Sequence, residues 1–259
     1  MDRMTISDPP SATGGIEDLP AADRAYFRAV YEQAEARFTE IVVAHGIRPG
    51  LSRALAAARV ALLDEHLAPV HAMMADAGTP IVCGKGCAWC CSTTVEATPD
   101  EVFALIDHLE RTLDPAALAA LRERARAGDR QGHGLASIER HKLRLFCPVL
   151  DPESRACLGH AVRPAPCQGY LSLDLPRCEA DYREPPGRIK QPRFAFLITS
   201  VIDGTRNAVL GDFGLRGGGL ELTAALVAAW SRRDPEQAWL DGEDLFAGAD
   251  YVPSSADSS

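Results

Sequence analysis

The sequence has no surplus of positive charge: 27 Lys and Arg stand against 36 Asp and Glu, a net charge of −9 at pH 7. Duplex nucleic acid is therefore not expected as a partner, since binding it takes a basic face that neutralises phosphates. No window approaches the run of about 18 apolar residues that a membrane span needs. Residues 1–10 have no apolar stretch of the kind a signal peptide carries. The expected address is the cytoplasm, with no membrane association. Several chemical signatures are also missing. Gly217-Gly218-Gly219 lacks the lysine of a phosphate loop and is soon followed by Glu221, which would repel phosphate. No nucleophile and histidine stand at a readable spacing, and there is neither an internal repeat nor a βα alternation.

What is present is an ordinary globular composition, 46% hydrophobic and 24% charged over 259 residues, long enough to bury a core. Residues 1–20, rich in Pro, Gly, Ser and Asp, are expected to form a flexible lead. Residues 251–259 are expected to form a disordered tail. Between them, 21–250 is expected to be a single, mainly α domain: helices around an irregular, metal-clamped cysteine-rich core at 83–178.

The helical expectation rests on period and caps. Tyr26, Phe27, Val30, Tyr31, Ala34, Phe38, Ile41 and Val42 share a stripe that Gly46 ends. A second helix from about Ser52 to Ala77 carries Leu55, Leu62, Leu63, Leu67, Val70 and Met74, with Met73 and Met74 as core filler. Thr98-Pro99-Asp100-Glu101 is a capping box with proline at the first helical position. Another helix starts at Asp114-Pro115. Phe194, Leu197, Ile198, Val201 and Ile202 suit a helix, residues 220–231 read as helical, and Asp234-Pro235-Glu236-Gln237 is a second capping signature. Residues 145–192 cannot be long helix: Pro148, Pro152, Pro164, Pro166 and Pro176 break them, ahead of Pro185-Pro186.

The eight cysteines fall into two groups. The first is Cys83-Gly-Lys-Gly-Cys87-Ala-Trp-Cys90-Cys91. Spacings of two and three residues let sulfurs converge on one small centre, and Gly84 and Gly86 allow the tight turns this needs. The second group, Cys147, Cys157, Cys167 and Cys178, lies in the proline-stiffened segment. Its spacing says little alone, but such a loop is costly to order unless something cross-links it, and a metal does so. In a reducing compartment, clustered thiols point to metal ligation rather than to disulfides.

Taken together, Cys83 to Cys91, then Cys147-Pro-Val-Leu-Asp, Cys157, Arg163-Pro164-x-x-Cys167 and Ser172-x-Asp174-x-x-x-Cys178 resemble the bacterial CxxCxxCC (YkgJ-like) cysteine-cluster family. That family is described as a zinc- or iron-chelating domain. The resemblance covers about residues 83–178, with looser similarity around residues 220–246. It implies metal binding and no particular reaction, although one branch of the family is attached to protein methylation. Two positions depart from the pattern: the first spacing is three residues rather than two, and Gln168 follows Cys167 where such proteins usually carry arginine.

Adjacent Cys90 and Cys91 fit one tetrahedral zinc poorly, whereas the several iron corners of an iron–sulfur cluster tolerate them better. The expected cofactor is thus an iron–sulfur cluster, 4Fe-4S favoured, with zinc as the alternative. The ligand candidates are all eight cysteines. Any partner beyond the metal, protein or small molecule, is left open, as is enzymatic activity. Two other readings use the same residues. One is a structural zinc holding a loop that binds a partner. The other is a radical S-adenosylmethionine enzyme, for which Cys83, Cys87 and Cys90 have the right spacing but about eighty helical residues precede the loop. His141 and His160 are further candidate ligands, and Arg163 and Arg177 candidate hydrogen-bond donors to thiolates. Trp89 is expected to shield the site. Asp212, Asp241 and Glu243 read as solvated cap and turn residues.

Overall fold

Helices begin and end where the chain carries its caps. A computed structural model describes residues 16–185, 189 and 191–254. The helices of the described residues are α1 (Ala21–His45), α2 (Leu51–Asp76), α3 (Pro99–Thr112), α4 (Pro115–Gly132), α5 (Ser137–Lys142), α6 (Ala165–Gly169), α7 (Leu175–Arg183), α8 (Arg193–Asp212), α9 (Leu222–Trp230) and α10 (Pro235–Leu240). Two two-residue strands, β1 (Glu96–Ala97) and β2 (Leu220–Glu221), pair antiparallel. The chain is mainly helical, as its periodicity predicts, and no described helix is long and apolar enough to cross a membrane.

α1 buries Phe27, Val30, Ala34, Phe38 and Val42 and packs on α2 and α8. Covering its four larger apolar side chains contributes on the order of 6–12 kcal/mol, far more than the intrinsic helix propensity of any residue in it. α2 also lies on α3, and α3 meets α9 and α10, while α4 closes on α9. The capping box is formed in full: the Glu101 carboxylate accepts the Thr98 backbone N–H at 3.0 Å. Met74 is buried in the core and Met73 packs at its edge.

Two expectations change. Leu220 and Glu221 are strand rather than helix, because the Glu221 N–H bonds the Ala249 carbonyl and Leu220 lies opposite Ala97. Glu221 then caps α9, its carboxylate accepting the N–H groups of Thr223 and Ala224. Asp234 makes no side-chain cap bond. Its neighbour Glu236 instead caps α2 from a distance in sequence, accepting Gly50 N–H at 2.8 Å and Ser52 N–H at 3.0 Å. Of the expected flexible lead, residues 1–15 lie outside the described residues; Ile16–Asp18 form a 3₁₀ turn and Leu19 is buried. Of the expected tail, 255–259 lie outside them too, while Tyr251 N–H bonds the Gly219 carbonyl and Ser254 N–H bonds Ser137 Oγ.

Candidate metal centre

The first cysteine group leaves α2 as an extended loop that ends in a 3₁₀ turn at Trp89–Ser92. Gly86, with φ +89°, turns the chain between Cys83 and Cys87 in a conformation that residues with a side chain rarely adopt. The second group follows α5. Leu150 and Cys157 form an antiparallel bridge, with Leu158 N–H bonding Val149 O at 3.0 Å, so the segment from Cys147 to Cys157 doubles back on itself. Cys167 lies on α6 and Cys178 on α7.

The two groups meet through the backbone. Cys147 N–H donates to the Cys91 carbonyl at 2.6 Å, and Val82 N–H donates to the Ser172 carbonyl at 2.9 Å. Ser172 N–H in turn approaches Cys83 Sγ at 3.2 Å, and the Cys178 thiol donates to Ser172 Oγ at 3.0 Å. Trp89 packs on Tyr182 with ring centroids 5.3 Å apart and so holds α7 to the turn. Trp89 stands beside Cys90 and Cys91 in the turn without itself lining the cavity.

A cavity of about 1260 Å³ opens between the groups, and seven of the eight cysteines, all but Cys178, line it. That exceeds the roughly 300–1,000 Å³ of most small-ligand pockets. All eight cysteines are free thiols. Among the described residues, no three His, Cys, Asp or Glu side chains are drawn together closely enough to hold a metal ion. The donor set nevertheless fits a thiolate centre in kind and number: soft sulfur ligands, none tied up in a disulfide, gathered from two distant segments onto one wall.

The thiols differ in readiness. A hydrogen bond from Cys91 leads the effects that lower Cys90 to about 7, with burial opposing and Arg163 assisting. Cys91, the donor of that bond, is pushed up. Burial takes Cys147 up to about 12 and raises Cys83, Cys157, Cys167 and Cys178. Since the thiolate is the ligand and nucleophile, the hydrogen bond from Cys91 favours ionisation of Cys90 ahead of Cys91 and Cys147.

The other candidates separate. His141 and His160 both line the cavity. His141 is buried, with Nε2 3.8 Å from Asp181 Oδ2, and burial lowers its pKa toward the neutral imidazole. His160 is exposed and touches Arg163. Arg163 lines the cavity and acts on both Cys90 and Cys157. Arg177 is exposed on α7, away from the cavity wall. Asp212, Asp241 and Glu243 are exposed, Glu243 paired with Arg232.

One feature behind the site is missing from the sequence reading. Arg59, Asp100, Glu101 and Arg206 are fully buried together. Glu101 Oε1 accepts from Arg206 Nη1 at 3.0 Å and lies 3.3 Å from Arg59 Nε. Burial alone would raise the Glu101 carboxyl, but Arg206 and Arg59, with the N–H groups of Ala165 and Thr98, hold it at about 2. Burial pushes Asp100 up and takes Asp203 up to about 6. This network grips the Arg163–Gln168 stretch. Ala165 N–H donates to Glu101 Oε1 at 2.7 Å, Arg59 Nη2 to the Arg163 carbonyl at 2.8 Å, and Gln168 Nε2 to Asp64 Oδ1 at 2.8 Å. Gln168, the residue after Cys167, thus works as a neutral link to α2. Gly169 is required here because a Cβ would run into Thr199 Oγ1 of α8. The chain matches no family model, no curated protein and no solved structure.

Proposed function

We propose that the chain binds metal through its clustered cysteines, with an iron–sulfur cluster as the favoured centre. The observation that carries this reading is the gathering of seven free thiols, from groups separated by more than fifty residues, on one cavity. Packing alone gives no reason to set seven reduced thiols around one space, since a free cysteine in a core serves only as a small hydrophobe. A bound cluster would supply one-electron chemistry, suiting a redox role or a role in modifying a protein or small molecule. The residues of the chain do the rest. Arg163 offsets thiolate charge at Cys90 and Cys157, and the Arg59–Glu101–Arg206 network keeps the Cys167 segment in place.

Protein purified without oxygen is expected to be brown and to carry iron and acid-labile sulfide, about four irons for each cubane. Colourless protein with stoichiometric zinc would move the reading to a structural zinc holding a partner-binding loop. A chain that takes up neither zinc nor iron and sulfide after reduction would overturn it.

A further inference from the structure

Resting on that thiolate reading, we infer that the eight cysteines form two ligand sets rather than one: Cys83, Cys87, Cys90 and Cys178 for one centre, and Cys91, Cys147, Cys157 and Cys167 for a second, with the Cys90–Cys91 peptide bond as the junction.

The first set is assembled by Ser172 and α7. Ser172 contacts the sulfurs of both Cys83 and Cys178, at 3.2 and 3.0 Å, and its carbonyl holds Val82 next to Cys83. The α7 helix that carries Cys178 packs on the turn that carries both Cys90 and Cys91. Cys87 N–H bonds back to Gly84 O at 3.0 Å, which closes the turn between Cys83 and Cys87.

The second set is assembled by other contacts. The Cys91 carbonyl accepts from Cys147 N–H, and the Leu150–Cys157 bridge returns Cys157 toward Cys147. Gly159 then seats the strand end against α3, where a Cβ would collide with Leu105. Cys167 is brought in by the buried grip on Ala165 and Arg163. Cys90, at the junction, acts on Cys83 and Cys178 of the first set and on Cys91, Cys157 and Cys167 of the second.

Adjacent residues cannot turn both sulfurs onto one tetrahedral ion without strain, but they can serve neighbouring centres. Each set then offers four thiolates, the number that closes a zinc site or anchors a cubane.

The test uses the reduced full chain with Zn²⁺ as probe. At one equivalent of zinc, followed by iodoacetamide and intact-mass fragmentation, chains holding a single zinc should carry four alkyl groups, all within one set. Four alkyl groups distributed across both sets would overturn the partition. Double serine variants give a second readout, with far-ultraviolet circular dichroism to certify the helices. The same-set pair Cys83→Ser with Cys178→Ser should keep one zinc of two. The cross-set pair Cys178→Ser with Cys167→Ser should keep none tightly bound. A wild-type chain saturating at one zinc would also refute the partition while leaving metal binding intact. A chain that binds no zinc, iron or sulfide would refute the metal reading itself.

Discussion

Cys147 donates its backbone N–H to the carbonyl oxygen of Cys91 at 2.6 Å, so two cysteines separated by 55 residues are hydrogen-bonded neighbours in the fold. Loading a metal on one side of that bond must therefore restrain the other side. Cys167→Ser is expected to lower metal content and to loosen residues 145–180 together, because the helices of that segment are short and metal binding at its cysteines would add to its folding free energy. Limited proteolysis of metal-loaded wild type and variant would show it. Unchanged metal loading and unchanged cleavage in Cys167→Ser would make the two groups independent.

Cys90 is expected to be the most reactive thiol of the metal-free protein. A thiol reacts as its thiolate, and that fraction grows as pH rises through the pKa. With Cys90 held near 7 and Cys147 near 12, alkylation at pH 7.5 should label Cys90 first and leave Cys147 unmodified. Because the Cys91 thiol supplies the leading stabilisation, Cys91→Ala should move the Cys90 midpoint upward, toward the ordinary 9.0. Peptide mapping after timed iodoacetamide exposure across pH 6–9 measures both effects. Equal labelling of all eight cysteines would contradict them.

Much of the fold is legible in the sequence because helix ends are local. Thr98-Pro99-Asp100-Glu101 and Gly46 set boundaries with residues a few positions away. The strand at Leu220–Glu221 is not legible, since its partners Ala97 and Ala249 are chosen by the tertiary fold. The cysteine groups announce themselves by crowding, but their convergence depends on Ser172, Tyr182 and backbone contacts that no spacing encodes. A signal for the buried charges was available. Arg59 falls at helical spacing between Leu55 and Leu62, and Arg206 between Ile202 and Val209, so each sits on an otherwise apolar face. A lone arginine there reads as a solvated residue until the capping carboxylates Asp100 and Glu101 are seen to turn inward and meet it.

Those charges yield a stability prediction. Removing one partner of a buried ion network leaves the others uncompensated, which costs about 3–5 kcal/mol. Glu101→Ala should show a loss of that order in urea denaturation and should also release Ala165, whose N–H would lose its acceptor. The pH dependence has a definite sign. Glu101 is held at about 2 in the folded chain against an ordinary 4.5, so its contribution is full above pH 4.5 and declines as pH falls toward 2. The difference in stability between wild type and Glu101→Ala should shrink over that window. A constant difference between pH 6 and pH 2.5 would show that the carboxylate charge is not the source.

The last prediction concerns chemistry that the Cys83, Cys87, Cys90 spacing suggests. Cleavage of S-adenosylmethionine to a deoxyadenosyl radical needs a cluster held by three cysteines, with one iron left open for the substrate. Here Cys178 is hydrogen-bonded to the serine that also contacts Cys83, so a fourth thiolate stands ready to close that position. The architecture points the same way. Among the described residues the strands are two residues long and antiparallel, so they build no βα barrel to hold a nucleoside. Reduced, cluster-replete protein is therefore expected to form no 5′-deoxyadenosine from S-adenosylmethionine. Cys178→Ser, which opens the fourth position without supplying a nucleoside site, should not gain the activity. Multiple-turnover formation of 5′-deoxyadenosine, abolished by Cys90→Ala and unaffected by Cys178→Ser, would instead make the three-cysteine loop a catalytic cluster site and Cys178 a bystander.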